Sequence, residues 1–208
     1  LAEAHPSRYP GGPQDKEQEQ IERYTLMNIY GIEYVDGWEW YLVGPNQWVQ
    51  QIRVAKVHPI ARPAEVGPND RWFAIDLYEQ TLVAYEGDRM VFATLISSGL
   101  PQWSTNEGLF KVYERYEATR MSGAVGQPDF YFIEEVPYVM YFDDEIGLHG
   151  TYWHDRFGYR QSHGCVNLSI MDSWWIYDFT EEEPHRDAWV YAYSSGEYRR
   201  DLPGWARR

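Results

Sequence analysis

Cysteine is almost missing from this chain: Cys165 is the single one in 208 residues. An internal disulfide and a cysteine-rich zinc cluster are both excluded, and so small a count says nothing about redox compartment. Basic residues are scarce as well, 18 Lys plus Arg against 32 Asp plus Glu, for a formal net charge of -14. Such a chain repels the phosphate backbone and anionic lipid, which excludes a nucleic-acid binder and a protein held to a membrane by charge. No apolar run reaches the roughly 18 residues needed to span a bilayer, so no membrane insertion of the given chain is expected. The first residues, Leu1-Ala2-Glu3-Ala4-His5-Pro6, lack the basic and apolar parts of a signal peptide, though a signal removed earlier would leave no trace.

Aromatic residues are what the chain has in excess: 10 Trp, 18 Tyr and 8 Phe. They suit half-buried pleated strands and flat-faced ligand grooves better than helical bundles, and the expected class is mainly β. With 44% hydrophobic and 24% charged residues the chain can bury a core. Its length fits one large domain or a small module followed by a main domain.

Turn signals divide the chain. Residues 1–20, rich in Pro, Gly, Gln and charge, carry no helix or strand period and read as a leader or tether. Short β-prone runs follow at 24–30, 38–43 after Asp36-Gly37, and 48–57 after Gly44-Pro45-Asn46. The run Gly37-Trp38-Glu39-Trp40-Tyr41-Leu42-Val43-Gly44 with Gln47-Trp48-Val49 resembles the central strands of bacterial SH3-like modules, so 21–58 is expected to be a small SH3-like β module. Residues 59–70, with Pro59, Pro63, Gly67 and Pro68, read as a linker. From Arg71 longer strands are expected at 72–78, 81–86, 90–97, 109–116, 130–135 and 138–142, with a flexible segment at 121–129. One helix is expected at 170–180, capped by Ser169 with Asp172 closing an S-x-x-D box, and packing Ile170, Met171, Trp174, Trp175, Ile176 and Phe179 on the sheet. A closing strand at 188–193 would complete a domain over 71–195, followed by a tail at 196–208.

Chemistry concentrates in Gly147-Leu148-His149-Gly150-Thr151-Tyr152-Trp153 and Ser162-His163-Gly164-Cys165-Val166-Asn167. A thiol attacks an acyl carbon as thiolate and needs a base or cation at hand, which histidine supplies near neutral pH. Gly164, without a Cβ, lets the backbone turn sharply before Cys165 and aim its N–H at a developing oxyanion. Alone, a cysteine is more often a small buried hydrophobe and a histidine more often structural. His149, His154, His163 and Cys165 could in principle hold zinc, but the His149–His154 spacing lacks a helix to align the pair, and no metal site is assigned.

Taken together, H-G-x-x-W with S-H-G-C-V-N closely resembles the signature of the L,D-transpeptidase catalytic domain, the YkuD-like family of peptidoglycan cross-linking enzymes. The likeness spans roughly Arg71 to Tyr193 and includes the opening strand pair Trp72–Leu77 and Thr81–Tyr85. It implies an L,D-transpeptidase-like β-sandwich with one principal helix. It also implies that Cys165 is the nucleophile, attacking the carbonyl of the third residue of a tetrapeptide stem with loss of D-alanine. An amine of a neighbouring stem would resolve the thioester, or water would, giving L,D-carboxypeptidase activity. His149 matches the general base, oriented by the carbonyl of Gly150 or of a neighbour. His163 matches the histidine that holds the loop, and the N–H groups of Gly164 and Cys165 are the expected oxyanion donors. Ser162 and Asn167 would tie the loop, Asn167 also meeting substrate. Tyr152 and Trp153 would form an aromatic wall, and Met121 a substrate contact. Stem peptides are the implied partner, an extracytoplasmic envelope or periplasmic site the implied location, carbapenems the implied inhibitors, and no metal or organic cofactor is required. The gap from His149 to Ser162 is shorter than the family's, so 154–161 should be a tight lid. A cysteine peptidase acting on wall peptides, or a binding module with a decayed site, are the alternatives.

Overall fold

The computed structural model describes residues 1, 3–123, 126 and 130–196. The chain divides into two compact units, cut between Lys56 and Val57.

In the N-terminal unit, β1 (Gly31–Val35), β2 (Trp38–Gly44) and β3 (Gln47–Gln50) form an antiparallel sheet in that order. Strand β1 lies downstream of the expected 24–30 run because the two-residue turn Asp36-Gly37 fixes where pairing begins. Both turn residues have positive φ, and Val35 pairs with Trp38. Residues 1–20 are no tether. Ala4 bridges Ile21, Ser7 bridges Trp48, and both Ala4 and Ser7 are buried. Prolines and glycines there prevent a ladder, but single bridges and the Ser7 hydroxyl, which donates to the Gly12 carbonyl, satisfy the backbone.

The second unit is a sandwich. Strands β4 (Arg71–Asp76), β5 (Thr81–Glu86), β6 (Arg89–Leu95), β7 (Gly108–Lys111) and β12 (Trp189–Tyr193) make one sheet in the order β6-β5-β4-β12-β7. Strands β8 (Glu114–Gly123), β9 (Tyr131–Asp143), β10 (Ile146–Gly150) and β11 (Val166–Leu168) make the other, in the order β11-β10-β9-β8. Phe73, Ile75 and Leu82 from the first sheet meet Met140, Leu148, Val166 and Leu168 from the second in one buried core. The other face of β4 is buried too: Trp72 and Ala74 lie under Val66, with Val57 and Ile60 packed alongside. Val57, expected in the N-terminal module, and residues 59–66 of the expected 59–70 linker therefore belong to this unit. Their prolines cannot donate to a ladder, but their apolar side chains cover the sheet.

Two elements differ from expectation on the site side of the sandwich. The expected strands 130–135 and 138–142 are one strand, β9, which carries Glu135 and Tyr138 at positive φ rather than ending there. Residues 121–123 belong to β8, and most of the remaining 124–129 segment lies outside the described residues. Helix α1 (Ile170–Phe179) is capped as expected, the Ser169 hydroxyl accepting from Asp172 N–H. The box is not reciprocal, because the Asp172 carboxylate instead accepts from Thr94 on β6 at 2.7 Å. The buried stripe is Ser173, Ile176 and Tyr177, whereas Ile170, Met171 and Trp174 are exposed on the far side of the turn.

Candidate active site

Strands β10 and β11 run parallel with His149 opposite Asn167 and Leu148 opposite Val166. Leu148, Val166 and Leu168 are wholly buried in the core. Strand alternation then puts His149, Asn167 and the immediately preceding Cys165 on the opposite face. The topology thus brings together a thiol and a histidine sixteen residues apart in sequence.

His149 is buried, and its Nδ1 lies 3.0 Å from the Gly150 carbonyl oxygen. A carbonyl only accepts, so Nδ1 carries the proton and Nε2 keeps its lone pair. Burial pushes the imidazole down to about 4; the bond to Gly150 opposes that shift and nearby His154 adds to it. Cys165 is half-buried, with its Sγ 3.6 Å from the Glu145 carbonyl oxygen. Burial pushes the thiol up to about 11, against a backbone hydrogen bond from Gly147 and with the Glu145 charge. Burial thus favours the neutral form of both the thiol and the imidazole.

The turn before Cys165 is tied at nearly every atom. Gly164 has φ of +122°, a conformation that side-chain-bearing residues rarely adopt. Its carbonyl accepts from the Thr105 hydroxyl at 2.6 Å, and that hydroxyl accepts from Gly99 N–H at 3.0 Å. Gly99 packs so closely that a Cβ there would lie 3.0 Å from the Gly164 Cα. The Ser162 hydroxyl donates to the Cys165 carbonyl and accepts from Gly164 N–H at 3.1 Å. Gly164 N–H, expected as an oxyanion donor, is thus engaged inside its own loop. His163 is packed between Trp103, at 4.2 Å between ring centroids, and Tyr131, at 5.1 Å.

Two cavities flank these residues. One, of about 380 Å³, is lined by Cys165, Met121, Tyr131, Tyr141, Arg120, Glu114, Asp144 and Glu145 among others. Met121 thus reaches the thiol's cavity, but from strand β8 and almost fully buried rather than from a mobile loop. The second cavity, about 500 Å³, is lined by Tyr152, Trp153, His154, Asp155, Phe157 and the start of α1. Tyr152 and Trp153 are placed here, not in the thiol's cavity. Trp153 lies 5.7 Å from the His149 ring, and the Tyr152 hydroxyl donates to the Glu134 carbonyl. Gly150 leaves no room for a side chain, since a Cβ would meet Ser173 Oγ at 2.5 Å.

Sequence reasoning missed Tyr131, Tyr141, Thr105 and Glu145. Burial and the neighbouring Cys165 raise both tyrosines, Tyr141 to about 12, so both remain phenols. Nothing distinguishes them among 18 tyrosines in the sequence.

The L,D-transpeptidase catalytic domain (YkuD) family model matches residues 70–190. The chain belongs to this family. An L,D-transpeptidase from Mycobacterium smegmatis is similar in structure at 20% identity, with 60% of this chain and 59% of that chain covered and a TM-score of 0.54. The catalytic domain of the Enterococcus faecium L,D-transpeptidase is 25% identical over 60% of this chain and 98% of its own, with a TM-score of 0.51. An avibactam carbamoyl enzyme of the same class is 26% identical over 61% of this chain and 50% of its own, with a TM-score of 0.53. The chain spans less than two thirds of the length of the first and last of these. Among curated proteins none matches.

Proposed function

We propose that this chain is a peptidoglycan L,D-transpeptidase acting through a Cys165 thioester. The observation that carries the reading is the one thiol of the chain on the same strand face as a buried histidine whose Nδ1 is committed to a backbone carbonyl. His149 Nε2 takes the thiol proton as Sγ bonds to the carbonyl carbon of the stem's third residue. Cys165 N–H meets the oxyanion. The tetrahedral adduct collapses with cleavage of the C–N bond, and His149 returns the proton to the departing D-alanine amine. An amine of a second stem then attacks the thioester, passing a proton by way of His149 to the leaving thiolate. Splitting one acyl transfer into two lowers each barrier without a cofactor. Resolution by water would make the same site an L,D-carboxypeptidase.

Because neither group is charged at rest, the proton moves as the substrate arrives, and substrate closing over the cavity strengthens the transfer by excluding water. Substrate location places the reaction outside the cytoplasm. The N-terminal sheet is read as an SH3-like wall-binding module with no part in the chemistry. The structural neighbour described as an avibactam carbamoyl enzyme supports β-lactam-like acylation of Cys165 here, as does the carbapenem sensitivity that family membership implies.

Incubation with a disaccharide-tetrapeptide and mass spectrometry of the products tests the proposal. A cross-linked dimer with loss of D-alanine is expected; tripeptide alone would shift the reading to carboxypeptidase, and unchanged substrate would overturn it.

A further inference from the structure

The cavity beside Trp153 ends at the first turn of α1: Ser169, Ile170 and Met171 line it together with Thr151, Trp153 and Asp155. A helix leaves its first N–H groups without partners of its own. Here the Ser169 hydroxyl takes the one of Asp172, while those of Ile170 and Met171 meet no acceptor among the described residues. The acid of that turn, Asp172, is taken up by Thr94 instead. A second group points to the same place independently. Thr151 lines the cavity, is 4% exposed, and its hydroxyl finds no partner within the protein. Its N–H donates to the Leu168 carbonyl, so the strand ladder reaches it, and two residues on from His149 it shares the strand face of the base. Trp153 of the same lining has its ring 5.7 Å from that of His149.

No Lys or Arg lines this cavity, so what it offers an anion is the free N–H groups, with the positive end of the helix dipole behind them. The hydroxyls add to these: Ser169 spends a lone pair on Asp172 N–H and keeps its own proton to donate. Asp155, in the same lining, suits a positive group beside the anion. We propose that this cavity is a carboxylate site for the resolving amine, holding the carboxylate borne by the same carbon as the attacking nitrogen. The acceptor is then an α-amino acid end, as in a diamino dicarboxylic third residue or a free amino acid, and not the side-chain amine of a lysine-type residue. This rests on the acyl-transfer reading above and deepens it. The nitrogen bonds to the thioester carbon, the C–S bond breaks, and the proton lost by nitrogen reaches the thiolate by way of His149.

The test gives the full-length protein a disaccharide-tetrapeptide donor and lets glycine compete with glycinamide at equal concentrations of unprotonated amine. Mass spectrometry separates the two products, and because both amines compete for one thioester, their ratio is blind to any change in acylation. Wild type should favour glycine by about tenfold. Ile170→Pro removes one N–H at the first helical position, where proline is tolerated and the preceding Ser169 is already extended at φ −59° and ψ 154°. The preference should fall about fivefold there. Ile170→Val keeps the N–H and should keep the preference, which a packing role for the side chain would not produce. Thr151→Val should lower it by a smaller factor. No preference in wild type, or one kept in Ile170→Pro, overturns this inference alone. Release of D-alanine with capture of neither amine does the same. If Ile170→Pro does not fold, Thr151→Val decides, and an unchanged ratio there overturns the inference. A wild type that releases no D-alanine overturns the acyl-transfer reading and this inference with it.

Discussion

The cavities on either side of the buried His149–Asn167 pair differ in chemistry. On the thiol's side the walls are phenols and carboxylates, with Arg120 the cation among the lining residues. On the His154 side they are the faces of Tyr152, Trp153 and Phe157 with Met171 and Ile170, and Asp155 is the acid. Neither cavity is lined by His149 or Asn167. A reaction with two substrates can use such a division: one side holds the group attached to the thiol, and the other admits the amine that removes it. His149 is buried, and that burial accounts for its lowered pKa.

The largest effect expected is at the thiol. Cys165→Ala should abolish the single covalent adduct seen by intact-protein mass spectrometry after treatment with a carbapenem. An adduct persisting in that variant would remove the distinction between the two sides altogether.

Next is the base. His149→Gln should slow acylation by roughly 10² to 10⁴ while leaving the fold intact. The shape of the pH profile is more telling than the size of the loss. With imidazole held at about 4 and thiol at about 11, the wild-type pair keeps its proton arrangement across neutral pH, so its rate should be flat from about pH 5.5 to 9. In His149→Gln the thiol ionises unaided, and the rate should climb about tenfold per pH unit toward about 11. The same burial has a stability consequence. A histidine whose folded pKa is depressed binds its proton more readily unfolded, so stability is present above the unfolded pKa near 6.5 and drains as pH falls toward about 4. A wild-type profile that climbs like the variant's would mean that His149 is not the base.

How far the sequence carried this site depends on the kind of interaction. The choice of His149 over His154 and His163 came from the family resemblance, and the parallel pairing of β10 with β11 is what sets it on the strand face of Cys165. The carbonyl partner of His149 was legible, since Gly150 offers no side chain. The capture of Gly164 N–H by Ser162 was not, because the same four residues could close the turn either way and only the positive φ at Gly164 decides. Thr105 and Trp103 come from a loop that read as a plain connection, and they matter only because Ser97 bridges Asn167 and Gly99 bridges Ser162. In the fold, alternating runs such as β4 and β5 were plain, whereas the cover over their outer face was hidden by its prolines. The exposed flank of α1 was misassigned because seven hydrophobic residues in ten give no clear stripe. Burial there is decided by Ser173, which packs where a larger residue would not fit beside Gly150.

The aromatic side can be broken independently. Trp153→Ala should leave acylation within about threefold of wild type, since Trp153 does not line the thiol's cavity. If the amine enters past it, the yield of cross-linked dimer should fall roughly fivefold, the size expected from losing about 1 kcal/mol of aromatic contact. Equal loss in both steps would mean that Trp153 serves only to pack His149.

The smallest effect concerns Glu145, and it asks whether the acid walls of the thiol's cavity are felt at sulphur. Its carboxylate is exposed, its carbonyl faces Sγ at 3.6 Å, and its charge opposes ionisation of Cys165 and of Tyr131. Glu145→Gln removes the charge and keeps the carbonyl, so the thiol should ionise at lower pH. The midpoint can be followed by the ultraviolet absorbance of the thiolate. In a His149→Gln background, where no base assists, iodoacetamide should also react faster at a fixed pH below that midpoint. The gain should stay under about tenfold, because an exposed charge is partly screened by salt. It should shrink further as ionic strength rises. Glu114 lines the same cavity but acts on Tyr113, Tyr116 and Tyr141 rather than on Cys165, so Glu114→Gln should leave the thiol midpoint in place. If both substitutions move the thiol equally, the field belongs to the whole wall; if neither does, burial alone sets the thiol.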